Sequence, residues 1–404
     1  METSEKLLPI KGQVQNYAWG GSNFIPELLN IEKKGGKKYA EYWLGAHNNA
    51  PSSISVGETP VFLNDFLAEN SLLKLGPKVQ EKFGRLPFLF KVLDVSDMLS
   101  IQVHPSKESA EKGFQRENEL NIPLTASNRN YKDDNHKPEI MVALSEFWLL
   151  HGFLERSKLK QVLQSIPEFN YLETVFDKEG YKGLYKEVML QDQEKTNAVL
   201  QPLVDRILPL YEKGEIEKSN PDYWAAKAVV SNPDIKNLDK GIFSIYFFNI
   251  VKANKGEAVF QDAGIPHAYL EGQNMELMAN SDNVLRGGLT PKHIDEDELL
   301  KHVVFEETIP NILQGDIQLD GIEKIYKSPA PDFELSQLRI CDGQTYTGNS
   351  STVEILIVLD GTVTFKGDDS EYTVTRGESI MVVANSTYTV TTSETAVLYK
   401  ATAP

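Results

Sequence analysis

Gln102 and His104 stand two residues apart in the stretch SIQVHP, residues 100–105, directly after the apolar run LPFLFKVL. On a strand, residues i and i+2 share a face, so an amide oxygen and an imidazole would project side by side. Three further stretches carry groups that could join them. NHKPE holds His136, Lys137 and Glu139; GIPHAYLEG holds His267 and Tyr269; NMELMANSDNVLRGGLTPKH holds Glu276, Asp282, Arg286 and Lys292. Two imidazoles, a carboxylate and an amide oxygen suffice for a divalent ion such as zinc without any cysteine, leaving about one net positive charge beside an open coordination position. Spacing alone leaves a second reading standing. Gln-x-His pairs arise by chance, and a histidine beside an apolar run serves packing as readily as metal binding. Arg286 precedes a Gly pair that would let backbone approach a ligand, and its planar fork suits phosphate or an enediolate, with Lys292 as a point charge. An isolated RGG is otherwise a solvated turn.

The elements that must position these groups can be read coarsely. Residues 8–105 are short β-branched or aromatic runs with turn punctuation, interrupted by the helix-like LNDFLAENSLLKLGPKVQEKFG. Residues 120–138 are polar and aperiodic, a long loop of the kind kept for function. Residues 155–235 carry 3.6-residue periodicity; strand character returns at Phe243; residues 319–337 read as a proline-punctuated linker; short strands follow to the end. NKGEAVFQDAGIPH and TRGESIMVVANSTY share a strand, Gly turn, strand rhythm that suits jelly rolls. The expected architecture is mainly β: a catalytic jelly roll from residues 1–154 and 241–318, an inserted α-helical subdomain at 155–240, and a metal-free C-terminal jelly roll at 319–404.

Composition narrows the partners. The formal charge of −17 on 404 residues argues against nucleic acid and anionic membrane. The longest apolar run, IFSIYFFNIV, is too short to span a bilayer. A single cysteine, Cys341, excludes an internal disulfide, and METSEKLLPIKG lacks the pattern of a signal peptide, so a cytoplasmic protein is expected.

YKDDNHKPE, residues 131–139, matches the type I phosphomannose isomerase signature Y-x-D-x-N-H-K-P-E at every defined position. HAYLEGQNMELMANSDNVLRGGLTPK, residues 267–292, resembles the second signature of that family, and FKVLDVSDMLSIQVHP, QNYAWGG and AEYWLGAHNNAPS resemble its N-terminal blocks. The resemblance covers most of residues 1–150 and 240–300. It implies a cupin-type fold and one zinc per chain held by Gln102, His104, Glu139 and His267. It maps the active-site arginine onto Arg286 and other pocket groups onto Lys91, Ser100, Lys137, Tyr269, Glu276, Asp282 and Lys292. Gly287 stands where the family usually has alanine, which would give the arginine's loop more freedom without loss of activity.

The implied reaction interconverts mannose 6-phosphate and fructose 6-phosphate through a cis-enediol(ate), a step towards GDP-mannose. It needs positive charge where the oxyanion develops. Arg286 would supply it; Glu276, Lys137 and Tyr269 would complete the catalytic groups. Lys91, Ser100, Asp282 and Lys292 would bind substrate, with Lys91, Ser100 and Lys292 at its phosphate end. Glu276 and a zinc-bound water are the two candidate bases, and Glu276 could equally be a structural carboxylate. A metal-dependent cupin oxygenase and a non-catalytic sugar-binding cupin are the alternatives. A monomer is expected, with self-association left open. The four tryptophans read as core or wall; His47, His151, His293 and His302 as structural or surface; His136 as a group that pins its loop.

Overall fold

A computed structural model describes residues 6–56, 59–231, 236–368 and 370–404. Antiparallel strands dominate, as expected for the mainly β class, with helices concentrated between two β regions. One sheet of ten strands carries the chemistry. Its main path runs Phe248–Ala253, Phe147–Phe153, His267–Ala279, Phe88–Val95, Glu41–Gly45, Gln13–Gln15; Glu139–Ala143, Ala258–Gln261, Gln102–Val103 and Leu285–Arg286 branch from it.

The strand Phe88–Val95 shows why this sheet can host buried charge. All eight residues are buried. Phe88, Phe90 and Val92 pack into the core shared with Ile355, Ile357, Met381 and Tyr399 of a second sheet. The alternate residues Leu89, Lys91, Leu93 and Val95 turn to the other face by the two-residue period of a strand. The same alternation sends Ile140 and Val142 into the shared core and leaves Glu139 facing the opposite way.

The second sheet has nine strands, and its order departs from the chain's. Leu7–Lys11 lies antiparallel against Ser379–Val382, and Ser53–Val56 pairs with Leu7–Lys11. The first strands of the chain thus complete a sheet built mainly from residues after 315. A third sheet of four strands covers the C-terminal region. Gly256 and Gly377, the glycines of the two rhythmic stretches, both sit at φ +87°, a left-handed turn that only glycine enters cheaply.

Four helices, Arg156–Ser165, Asn170–Leu190, Gln193–Glu212 and Pro221–Val230, occupy the periodic region and bury Trp224, Leu184, Leu203 and their neighbours in a core shared with Val103, Leu150, Leu270 and Leu285 of the ten-stranded sheet. Two local expectations fail. Strand character does not begin at Phe243: Gly241–Phe247 is a helix with every residue buried, and the strand begins at Phe248. A helix buried all round has no polar face, so its period is invisible. Residues 319–337 are not a plain linker either, because Glu323–Tyr326 and the start of Glu334–Ile340 form a strand pair within them. Among the described residues no helix is long and apolar enough to cross a membrane.

Candidate metal centre and active site

Three strands bring the metal-type ligands together. His267 opens the strand His267–Ala279; its cross-strand partner on one side is Gln102, and Gln102 in turn faces Arg286. Directly opposed residues project to the same face about 5 Å apart. Imidazole, amide and guanidinium therefore form a row across three strands. Glu139 enters from the strand Glu139–Ala143, and His104 from just beyond Gln102–Val103.

His104 Nε2 lies 3.4 Å from Glu139 Oε1, and His267 Nε2 lies 3.5 Å from Glu139 Oε2. Donors on a tetrahedral zinc at about 2.0–2.1 Å are about 3.3 Å apart, so these separations fit one shared ion. Both rings have their other nitrogen engaged: His104 Nδ1 donates to the Asn283 carbonyl and His267 Nδ1 to the Ile265 carbonyl, each at 2.9 Å. Such bonds fix the tautomer and aim Nε2 inward. His104 is 0% exposed, yet its Nε2 has no hydrogen-bond partner, which a bound cation would satisfy. Burial, and then the Lys137 charge, push the His104 pKa down to about 4, keeping the ring in its neutral, ligating form. Burial would raise the Glu139 pKa, but Lys137 and the histidines hold it well below the carboxylate range.

A cleft of about 1030 Å³ opens onto this centre. Lys91, Ser100, Gln102, Lys137, Asp282, Arg286 and Lys292 line it. His104, Glu139, His267, Tyr269 and Glu276 lie buried behind that lining. Lys137 reaches back to Glu139 Oε1 at 2.9 Å. Asp282 accepts from Asn49 at 3.2 Å and sits 3.3 Å from His47 Nε2. Arg286 and Lys292 have no carboxylate partner within ion-pair range among the described residues, and burial lowers the pKa of both. Lys91 is placed otherwise than expected for a phosphate contact. Its ammonium is 2.9 Å from Glu276 and 3.6 Å from Glu41, so its charge is already met. Burial alone would lower the Lys91 pKa, but Glu276, Glu41 and Glu139 carry it above the ordinary lysine value. Glu276 is pushed up by burial and by Glu139 and Glu41, against the pull of Lys91. Burial, reinforced by the Glu276 charge, keeps the Tyr269 phenol protonated.

The chain matches the model of the phosphomannose isomerase type I catalytic domain over residues 7–156. It is 38% identical over 379 residues to mannose-6-phosphate isomerase of Escherichia coli (strain K12), covering 92% of this chain and 93% of that protein. The chain belongs to the type I phosphomannose isomerase family. Mouse mannose-6-phosphate isomerase is 32% identical, with 95% and 94% covered. The crystal structure of mannose 6-phosphate isomerase from Salmonella typhimurium bound to substrate and a zinc atom superposes with a TM-score of 0.87 at 34% identity, over 99% of this chain and 100% of that one.

The two phosphomannose isomerase signatures are laced to each other here. The Asp133 carboxylate accepts from the Asn135 N–H at 2.9 Å, the Ser281 hydroxyl at 2.7 Å and the Asp282 N–H at 2.7 Å. Asn283, fully buried, returns the bonding: its Oδ1 accepts from the Lys132 N–H at 2.7 Å, and its Nδ2 donates to the Asp133 and Asn135 carbonyls at 2.8 and 2.9 Å. Through its own carbonyl Asn283 also orients His104. Asp133 and Asn283 are not legible as functional in the sequence, because neither residue type at that spacing announces a ligand. Glu41 is a carboxylate inside the apolar run AEYWLG, which is the signal the sequence offers for it, and the structure buries it. His47, expected to be structural or surface, lines the cleft. His136 does pin its loop, with Nε2 2.8 Å from Asp332.

Gly287 does not gain the freedom expected of it. Its N–H donates to the Ile101 carbonyl at 2.9 Å, and a Cβ there would lie 2.8 Å from the Tyr185 hydroxyl and 3.1 Å from Ile101 Cγ2. Tyr185 is fully buried in the helical core and its hydroxyl is unpartnered. Gly287→Ala is therefore expected to destabilise by about 1–3 kcal/mol through overpacking. Tyr185→Phe in the same chain, by removing the oxygen the new methyl meets, is expected to restore much of the loss. Thermal melts of the two single variants and the double variant measure the coupling; additive effects would contradict it.

Proposed function

We propose that this chain is a zinc-dependent aldose–ketose isomerase that interconverts mannose 6-phosphate and fructose 6-phosphate through a cis-enediol(ate). The observation that carries the reading is the convergence of two imidazoles and a carboxylate on one point, with a guanidinium in the same cross-strand row that has no ion-pair partner among the described residues. Gln102, His104, Glu139 and His267 are the residues that would hold the ion. When bound, zinc supplies a Lewis-acidic charge beside the sugar oxygens and lowers the pKa of coordinated water. The chain's own groups do the rest. Arg286 stabilises the negative charge that develops over O1 and O2. Ser100 and Lys292 receive the phosphate end, which answers how a chain of charge −17 takes an anionic substrate: Arg286 and Lys292, without an ion-pair partner among the described residues, both line the cleft. Lys137 and Asp282 bind the sugar from the cleft wall. Tyr269 closes the wall behind the metal ligands.

Glu276 lies behind Lys91 and does not line the cleft, so the role that fits it is to hold the Lys91 ammonium in place. The group that carries the proton between C1 and C2 then sits on the cleft side of Lys91. All these residues belong to residues 1–154 and 241–318, which we take as the catalytic unit, with residues 155–240 as a helical insertion and 319–404 as a further jelly roll whose sheet borrows the N-terminal strands. One chain supplies every group invoked, so the site needs no residue from a second copy. A lone cysteine suits the cytoplasm. Neither an oxygenase nor a passive sugar binder accounts for the Arg286 guanidinium in one row with Gln102 and His267.

A coupled assay on mannose 6-phosphate is expected to show turnover that a chelator abolishes and zinc restores. Turnover unchanged by complete metal removal, or none with zinc present, would sink the reading.

A further inference from the structure

Arg286 and Lys292 are two cations on one short segment without an anionic partner among the described residues; Arg286 is half-buried, and Lys292 is exposed where it lines the cleft. Burial first, then Arg286 itself, disfavours the charged form of Lys292. Something must hold their backbone before any anion arrives. The first half of the segment is held by the sheet: Leu285 and Arg286 pair with Val103 and Gln102, and the Ile101 N–H donates to the Gly288 carbonyl at 3.0 Å. Strand pairing ends there.

The second half is held by a carboxylate from outside the sheet. Asp239 Oδ1 accepts from the Leu289 N–H at 2.8 Å and the Gly241 N–H at 2.6 Å, and its Oδ2 accepts from the Thr290 N–H at 3.2 Å. Leu289 sits at φ +54°, a left-handed conformation that a branched side chain enters at a cost of about 1 kcal/mol or more, so its surroundings impose it. Successive N–H groups around a left-handed residue make a concave anion seat, and Asp239 fills it. Gly241 and Gly288 permit the approach: a Cβ on Gly288 would lie 2.4 Å from Gly241 Cα, and one on Gly241 would lie 2.7 Å from the Leu289 nitrogen. Asp239 leads out of the helical insertion into the helix Gly241–Phe247, and with Leu289, Thr290 and Lys292 it lines the cleft.

We propose that Asp239 is the positioning residue that fixes residues 289–292, and with them the Lys292 ammonium, at the anion-receiving end of the cleft. The helical insertion, through this one carboxylate, sets the phosphate end of a site whose metal end is set by the β-sheet. This rests on the function proposed above. It also makes a division of labour: Arg286, on the paired strand, keeps its place when the Asp239 clamp is removed, whereas Lys292 does not.

The test compares wild type with Asp239→Ala and Asp239→Asn. It measures KM and kcat for mannose 6-phosphate, the Kd of inorganic phosphate by calorimetry, zinc content and the thermal midpoint. For Asp239→Ala, KM and phosphate Kd are each expected to rise about tenfold or more, with kcat within about threefold and zinc content unchanged. Asp239→Asn keeps one acceptor oxygen and is expected to shift both constants less and in the same direction; it carries the test if the alanine variant does not fold. Phosphate affinity and KM equal to wild type in the folded variants would overturn the proposal. So would parallel losses of kcat, zinc and phosphate binding, which mark general damage. The two readings fail separately: a wild type that binds phosphate but does not isomerise removes the proposed reaction, while the phosphate constants of the variants still decide the role of Asp239.

Discussion

His104→Ala is expected to lose the metal and the activity together. The imidazole is fully buried, its Nδ1 is anchored on the Asn283 carbonyl, and its Nε2 points at Glu139 with no hydrogen bond of its own. Alanine removes one of the two nitrogen donors: the cluster of potential His, Cys, Asp and Glu ligands among the described residues contains only His104, Glu139 and His267. A metal contributes several kcal/mol to charge stabilisation, and each 1.36 kcal/mol is tenfold in rate, so a fall in kcat of about a thousandfold or more is the expected scale. Zinc content of the purified variant should drop well below one per chain. Asn283 would keep its bonds to Lys132, Asp133 and Asn135, so the signature loop should stay in place and the melt should remain cooperative. Metal analysis beside a coupled assay checks the result. A variant that retains full turnover without zinc would remove the centre from the reaction.

Arg286→Ala is expected to act on the chemical step. Its guanidinium is only partly exposed and has no ion-pair partner among the described residues, so truncation strands no opposite charge. Breaking a buried ion pair costs stability because the remaining partner is left uncompensated; nothing of that kind applies here. The thermal midpoint should hold or rise slightly while kcat falls about a hundred- to a thousandfold, the scale seen when one preorganised oxyanion donor is removed. KM should change far less, since a group that meets charge present only in the transition state adds little to ground-state binding. Zinc content should equal wild type because Arg286 touches Gln102 only as a cross-strand neighbour. Steady-state kinetics with metal analysis separates these outcomes. Near-normal turnover at normal zinc content would take Arg286 out of the mechanism.

The contrast with Lys91 shows what charge type alone cannot reveal. Both residues are cations in segments that resemble the family's motifs, and both line the cleft. Lys91 meets Glu276 and Glu41, while Arg286 meets no carboxylate among the described residues. Whether a cation is available to a ligand depends on which carboxylates the fold places beside it. The nearer of the two, Glu276, lies 185 positions away along the chain.

The kinds of donor, their order along the chain and the faces expected of them are legible in single segments. The two-residue period of strands predicts Gln102 and His104 on one face, although the paired strand ends at Val103 and His104 lies just beyond it. Local periodicity can report such faces because it depends on backbone geometry within one segment. The folded chain alone sets the neighbours across strands: the row His267, Gln102, Arg286, the pairing of Lys91, the Asn283 lacing and the Asp239 clamp. It also decided that the first strand, Leu7–Lys11, closes a sheet with Ser379–Val382. Pairing between distant segments is fixed by burial and hydrogen-bond satisfaction over the whole chain, and no short window of residues carries that information.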